Sequence, residues 1–530
     1  MRKIIFIFFL FPVSLVFAQQ FNITIQKTIG GNDVDALNDA ILLPNNQILM
    51  GGYTRSGISY DKTVDFWGGA SDGWIVKLDS SLSDIWQKEL GGADYDDIKK
   101  LLLLSDGNYL CIGFSSSPVS GNKTVDTIGG WADIWVVKLD TSGNILWQNV
   151  YGGTGNEYYY LSAVELADKN IIIGCETNSD SSGTKTENSR GEYDYWVFKI
   201  DSAGNQLWDK TIGGSGTDEL VDIVVNPNGN ILLTGTSDSP ISGEKTEDTY
   251  GWEDYWLVEM DSTGNILWDK TYGGDDIDYA VGGGVYYDNA YFIFGMSRSG
   301  ISGNKTTINY GDTDYWLLKI NEQGQMIWDK TFGGTLLESG SSIIVSSQDN
   351  ILITGASYSS ISGNKTEQGK GSNDYWLLSL DLNGTIQSQI DIGGSDADGY
   401  NLILEKASNE FVIVGGSESG VSGDKTDYCR GYSDFWVVEL NTTVGINMAY
   451  ADNQIAVYPN PTTGDITFVL PMKTKNRVIT FFNEQGMVVK KEAVPRQLNH
   501  ISIRNLPAGL YFYRITENNK LLKTGKIVKQ

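Results

Sequence analysis

Between residues 19 and 441 the chain repeats one hydropathy pattern, short apolar runs separated by clusters of Asn, Asp, Gly and Ser. In residues 214–274 the runs fall at 219–226 (ELVDIVVN), 230–237 (NILLTGTS), 254–260 (DYWLVEM) and 265–272 (NILWDKTY). β-Branched and aromatic residues dominate them, and the third alternates apolar with polar. Pro227-Asn228-Gly229 and Asp261-Ser262-Thr263-Gly264 are turn signals, and a long polar loop carries Ser242-Gly243-Glu244-Lys245-Thr246. The pattern predicts four antiparallel strands per unit, with three tight connections and one long one, and no helix.

The unit recurs. Asp-x-Trp appears seven times at a spacing of 60 or 61 residues, with tryptophans Trp74, Trp135, Trp196, Trp256, Trp316, Trp376 and Trp436. A Gly-Gly pair keeps the same beat, from Gly30-Gly31 to Gly393-Gly394. Four strands per copy in seven copies describe a β-propeller. The seventh copy stops at Glu439-Leu440-Asn441, short of a fourth strand. The strand it lacks stands at the other end of the array, where residues 22–31 finish in the same Lys-Thr-x-Gly-Gly as residues 270–274. Pairing the first strand with the last copy removes an exposed edge. The expectation is therefore all-β, a seven-bladed propeller over residues 21–441 closed by its N-terminal strand. A linear β-solenoid is the alternative. The topology resembles WD-repeat rings, in which the closing strand is outermost. On that order the strand after Gly-Gly lines the central channel, and the Gly-Gly turn shares one face with the long loop.

Residues present in every copy hold the unit together, whereas recognition is sought where the copies differ. Four residues after the second glycine stands a carboxylate: Asp35, Asp96, Glu157, Asp218, Asp278, Glu338 and Asp398. The long loop brings Lys62, Lys123, Lys185, Lys245, Lys305, Lys365 and Lys425 to the same face. The two sets read as a repeated brace, by mutual pairing or by bonds to N–H groups of the glycine turn. The competing reading is a ring of carboxylates at the channel mouth holding a cation, with Ca2+ the best candidate for hard oxygen ligands. No other cofactor is expected. The aspartate of Asp-x-Trp reads as a cap on the preceding loop. Asn122, Asn304 and Asn364 match a glycosylation sequon inside the repeated loop. The copies diverge four residues before the tryptophan, where Trp131, Trp252 and Tyr432 stand against Ala70, Glu192, Asp312 and Ser372. Trp67 and Tyr310 lie nearby in their own loops. These five aromatics are the candidate ligand contacts, for stacking on sugar rings or anchoring a protein partner.

The chain's two ends differ from the array. Arg2 and Lys3 precede an apolar run over residues 4–17, and Val16-Phe17-Ala18 before Gln19 has the form of a signal cleavage site. The run is short for a membrane span, and no other stretch approaches one. Three cysteines exclude a disulfide framework. Cys111 and Cys175 fall in apolar strands, and Cys429 falls in a loop as a lone thiol. The single histidine, His500, leaves little for zinc or a histidine-based triad. Residues 452–530 carry 12 Lys/Arg against 5 Asp/Glu, and two positive charges sit at the N-terminus. The total of −27 therefore leaves about −36 for residues 19–451. Such an acidic body repels nucleic acid and anionic membrane, and favours cations or basic partners.

After a linker at 442–451 the repeat is lost. Val457-Tyr458-Pro459-Asn460-Pro461-Thr462-Thr463-Gly464 opens a segment that continues through residues 479–486 (ITFFNEQG) and 506–513 (LPAGLYFY) and ends at Lys526-Ile527-Val528-Lys529-Gln530. This combination resembles the type IX secretion C-terminal sorting domain of Bacteroidetes-type bacteria, the Por secretion tail. Read physically, residues 452–530 form a small antiparallel sandwich. The resemblance implies signal-peptide entry to the periplasm, passage through the outer membrane with the type IX machinery as partner, and release or surface attachment. It concerns delivery only.

The functional expectation is a secreted or cell-surface, non-catalytic binding or adhesion module with a glycan or protein ligand. The alternatives are a glycan-active hydrolase or lyase at the channel mouth, and a ligand-free structural surface protein. A glycosidase pair needs two acids in unlike environments, which a seven-fold pattern does not single out.

Overall fold

A computed structural model describes residues 18–445, 456–458, 460–470, 477–483, 485–494, 498–517 and 520–530. Residues 1–17 of the expected signal segment at 1–18 and residues 446–451 of the expected linker at 442–451 lie outside the described residues, and residues 442–445 belong to the strand Asp434–Gly445. The chain falls into two units, Gln19–Val444 and Gly445–Gln530, each built of strands.

In the first unit the sheet of residues 218–272 is representative. Its strands are Asp218–Val225, Ile231–Ser237, Asp254–Met260 and Ile266–Tyr272, hydrogen-bonded in that order. Asp218 pairs Ser237, which pairs Asp254, and Tyr255 pairs Tyr272. The second and third strands are buried along their whole length, because neighbouring sheets cover both faces. The fourth strand is half exposed. Seven such sheets make up the unit, and the fold is a β-propeller. The strand Ala18–Ile29 belongs to the last sheet, beside Asp434–Gly445.

Successive sheets meet where the residue before one sheet's third strand reaches the residue before the next sheet's first strand. A short parallel bridge joins Glu253 to Ile277 and Thr313 to Leu337, and the same bridge joins Val34 to Ser433 between the first and last sheets. Tryptophan fills the boundaries. Trp256, Trp316 and Trp376 are fully buried, each 4.8–5.1 Å from a tyrosine of the preceding sheet: Tyr195, Tyr255 and Tyr315. Replacing one by alanine removes a payload of about 3–5 kcal/mol.

One copy departs from the pattern. In the fifth sheet the first strand is broken into Asp278–Tyr279 and Gly284–Tyr287. Gly282, Gly283 and Gly284 supply no side chains to hold the ladder, and Gly283 sits at φ +75°, a conformation open to glycine.

The second unit holds a three-stranded sheet (Ala456–Tyr458, Asp465–Val469, Leu498–Ser502) and a four-stranded one (Val488–Ala493, Arg477–Phe482, Gly509–Glu517, Lys520–Lys529). Ile466, Phe468, Phe481, Tyr513 and Ile527 form a core shared by both.

Candidate functional site

The corner between the Gly-Gly turn and the long loop is built the same way in every sheet. Gly214 N donates to Asp218 Oδ2 at 2.6 Å, and Ser239 Oγ donates to the same oxygen at 2.9 Å. Asp35, Asp96, Asp278 and Asp398 accept the equivalent glycine N–H and serine hydroxyl. Glu157 and Glu338 also take the glycine N–H. All seven are fully buried. Burial raises Asp35 and Asp218 to about 6 against these donors.

Of the two readings of the seven carboxylates, the geometry is that of the brace on the glycine turns. Each acid is enclosed in its own corner, none lines the central cavity, and no metal-holding cluster occurs among the described residues. The physical reason is geometric: the first strand turns each of these side chains back under its glycine loop.

The repeated lysines are buried too. Lys245 Nζ bonds Thr271 Oγ1 at 2.9 Å and lies 5.2 Å from the Trp256 ring centroid. Lys62, Lys123, Lys305, Lys365 and Lys425 stand over their tryptophans in the same way. Lys62 pairs with Glu89 at 2.7 Å and Lys365 with Asp391 at 2.6 Å. The Asp-x-Trp carboxylate caps the loop before it: Asp72 accepts from Trp67 N at 2.7 Å and Asp133 from Ile128 N at 2.6 Å. The sequon amides are also engaged, Asn304 with Gly273 N and the Thr271 carbonyl. Cys429 is half buried, with its thiol donating to backbone carbonyls and pushed up to about 12 by burial and then Asp434. It is a free thiol, as its loop position suggests, but not a fully exposed one.

The divergent aromatics stay at the surface. Trp252 is 76% exposed and Tyr432 74%, while Trp67 and Trp131 are about half exposed and Tyr310 less. Trp131 is the most supported, packed 4.9 Å from Tyr95 and 4.8 Å from Tyr158. From there Tyr158, Tyr159 and Tyr160 run on at centroid separations of 5.0 and 5.9 Å.

That tyrosine run reaches a central cavity of about 560 Å³ lined by first-strand residues of all seven sheets. Its volume lies within the range of small-ligand sites. Asp39, Lys100, Tyr160, Asp222 and Tyr400 are among its polar lining. Asp222 accepts from Ser162 Oγ at 2.7 Å and Gly284 N at 3.0 Å. Tyr159 sits at φ +70° within a bulge between Tyr158 and Leu161, which swings the tyrosines out of the ladder. These inner residues escape the sequence reading. Their only signal is the run of three tyrosines in one copy, at positions where the other copies carry none or one.

Comparison with known proteins separates the two units. Residues 456–530 match the family described as "Secretion system C-terminal sorting domain". They are a C-terminal sorting domain. The sorting domain directs the chain through the type IX pathway to the cell surface or the medium, and so brings it to that machinery. No helix of the described residues is long and apolar enough to cross a membrane.

The propeller's relatives are distant. The regulatory protein FlaEY of Caulobacter vibrioides is 22% identical over 386 residues, 66% of this chain and 39% of that protein. An uncharacterized WD repeat-containing protein of Acanthamoeba polyphaga mimivirus is 23% identical over 327 residues, 48% of this chain and 23% of that protein. The chain thus spans less than half the length of either. Among solved structures, the Pan2 WD40 domain of Neurospora crassa aligns at 7% identity with a TM-score of 0.41, over 78% of this chain and 95% of that one.

Proposed function

We propose that the exported propeller is a non-catalytic binding or adhesion module whose ligand contacts the loop face. One observation carries this reading: the repeated polar residues are consumed in buried corners, while the loops that differ between copies leave Trp252 and Tyr432 about three-quarters exposed. Large aromatic side chains held open to solvent cost hydration free energy, and they are the side chains that dominate recognition surfaces. The acidic body steers basic partners toward that face.

The test is capture on glycan and host-matrix arrays, with and without Ca2+, by the wild type and by a Trp252→Ala/Tyr432→Ala variant. The reading expects saturable capture that the double variant weakens at least about tenfold, about 1.4 kcal/mol. Absence of capture on every array, or turnover of a captured polysaccharide, contradicts it.

A further inference from the structure

A lysine of the fourth strand holds one place in three successive sheets, and in the last of them its partner is missing. Lys210, Lys270 and Lys330 each stand between Trp-Asp and Thr. Each stem packs on the glycine that turns the next sheet from its third strand to its fourth. A methyl group at Gly264, Gly324 or Gly384 would lie 3.2, 2.8 or 2.7 Å from the Cγ of its lysine. The three ammonium groups are therefore delivered to equivalent positions.

In the third and fourth sheets a glutamate of the long loop meets that lysine. Glu187 Oε1 accepts from Lys210 Nζ at 3.1 Å, and its Oε2 accepts from Thr211 N at 3.2 Å. Glu247 does the same with Lys270 and with Thr271 N, the latter at 3.0 Å. One carboxylate thus spans an ammonium and an outward-facing N–H of the edge strand. In the fifth sheet Thr307 stands where the other two loops carry glutamate. Its hydroxyl turns inward to Asp329 Oδ2 and Thr331 Oγ1, both at 2.7 Å. Lys330 then has no ion pair or hydrogen bond among the described residues, only the Trp328 ring with its centroid 5.9 Å away. Thr331 pairs Trp316 as Thr271 pairs Trp256, and its carbonyl takes the Asn364 amide as that of Thr271 takes Asn304. The N–H of Thr331 therefore points out of the sheet in the same direction, and no side chain of the described residues accepts from it.

The space that glutamate fills in the sister copies is here part of a cavity of about 450 Å³ between the fifth and sixth sheets. Thr307, Ile308, Tyr310 and Lys330 line it from one sheet, Gly384 and Thr385 from the other. The Tyr310 hydroxyl and Thr385 Oγ1 make no hydrogen bond among the described residues. The volume is that of a small-ligand site and admits a sugar ring.

We propose that this cavity binds a hexuronate, a sugar acid within an otherwise neutral glycan, whose carboxylate takes the place that Glu187 and Glu247 hold in their own sheets. Its two oxygens bond Lys330 Nζ and Thr331 N, restoring the charge-assisted contacts that the sister copies make internally. Ring hydroxyls meet Tyr310 and Thr385, and the ring lies beside the exposed Ile308 and Tyr310 side chains. An acidic peptide side chain uses the carboxylate contacts alone and leaves those two hydroxyls to water. The acidic body repels polyanions, which favours a single acid group in a neutral chain. The proposal rests on the binding-module reading and names a ligand class for it, since Tyr310 is one of the five loop aromatics.

The experiment is a ligand-detected NMR titration of the full chain with glucuronate, galacturonate, glucose and N-acetyl-glutamate α-amide. The expected result is saturable binding of at least one uronate, with glucose at least about tenfold weaker. Lys330→Gln should weaken the uronate about tenfold. Thr307→Glu supplies the carboxylate from the chain itself, as the third and fourth sheets do, and should abolish binding in a folded propeller. Lys88→Gln removes the same charge from the first sheet and should leave binding unchanged. Uronates no tighter than glucose, or wild-type binding retained in folded Lys330→Gln, overturn the site, and Lys330→Gln decides alone where Thr307→Glu does not fold. Tighter binding of the glutamate amide than of both uronates overturns the sugar assignment. Array capture that depends on Trp252 and Tyr432, with no uronate binding in the titration, overturns this site and leaves the binding-module reading standing.

Discussion

The carboxylates of Asp254 and Asp278 close on one glycine from two neighbouring sheets. A methyl group at Gly273 would lie 1.8 Å from Asp254 Oδ1 and 2.9 Å from Asp278 Oδ2. The Oδ1 atoms of both aspartates are buried without a donor. The arrangement recurs around the fold, with Asp72 facing Asp96 and Asp133 facing Glu157.

Two buried acids this close disfavour each other's charged form, which makes stability depend on pH in an unusual direction. Burial raises Asp254 to about 7 against the Tyr250 N–H bond, and the Asp278 charge adds to it. Asp72, Asp133 and Asp314 reach about 7, and Asp35, Asp218 and Asp374 about 6. The ordinary carboxylate value of the unfolded chain is 3.8, so between about pH 4 and pH 7 the native state binds more protons than the unfolded one. Stability therefore falls as pH rises through that window. Below it, exposed turn aspartates held below the ordinary value by N–H and amide donors, Asp140 and Asp201, work in the opposite sense. The melting temperature should be higher at pH 5 than at pH 8, and Asp254→Asn should be more stable than wild type at pH 8. A melting temperature that climbs steadily from pH 5 to pH 8 contradicts this account of the buried acids.

The glycine beneath the pair should be intolerant of any side chain. Gly273→Ala places a methyl group against Asp254, and overpacking of this kind costs about 1–3 kcal/mol. Gly420→Ala is the control, because a methyl there meets nothing within 4 Å. Denaturant midpoints measured side by side should separate the two variants. Equal midpoints would show that the carboxylates move aside freely.

Much of the fold is legible in the order of residues along the chain, for a physical reason that particular residues make plain. The predicted strand 254–260 agrees with Asp254–Met260 at both ends, since a loop-capping aspartate starts it and the Asp261 turn ends it. Periodicity also marks the corner residues, and repetition across seven copies marks them as structural. Repetition does not carry the direction of a side chain. Along the chain the seven acids read either as a brace on their glycine turns or as a ring at the channel mouth, and burial places each under its own glycines. The broken strand at Gly282–Gly284 and the bulge at Tyr159 depend on hydrogen-bond register, which a hydropathy pattern does not carry. Thr307 is hidden more thoroughly: only the ion pairs of Glu187 and Glu247 reveal what its copy lacks.

The N-terminal strand should be indispensable to the last sheet. Gln26 Oε1 accepts from Trp436 Nε1 at 3.3 Å, as Gln389 does from Trp376 at 3.1 Å in the sheet before it. Gln26 also binds the backbone of Asp424 and Thr426, and Phe21 packs 6.3 Å from Phe411. Deleting residues 21–29 exposes the edge of Asp434–Gly445, an invitation to pair with another chain. Light scattering should show association and calorimetry a loss of cooperative melting. Gln26→Ala alone should cost about 1–3 kcal/mol through the indole N–H left unsatisfied. A monomeric deletion variant that melts like the parent would remove the argument for closure.

Removal of the sorting domain should separate delivery from folding. Its core of Ile466, Phe468, Phe481 and Tyr513 is its own, and it forms a unit distinct from Gln19–Val444. A chain ending at residue 451 should therefore fold, keep the propeller's melting transition, and accumulate in the periplasm rather than outside the cell. Truncation of residues 526–530 alone should give the same retention for a structural reason. Lys529 donates to the Arg504 and Leu506 carbonyls, Thr462 pairs it through a parallel bridge, and Ile527 belongs to the core. Losing these residues strips one end of the last strand, so the shortened sorting domain should lose protease resistance while the propeller keeps its own. Fractionation with immunoblotting reads the location, and limited proteolysis reads the fold. Efficient appearance of the chain ending at 451 in the medium would show that the propeller carries its own export information, and a misfolded periplasmic product would show that the two units fold as one.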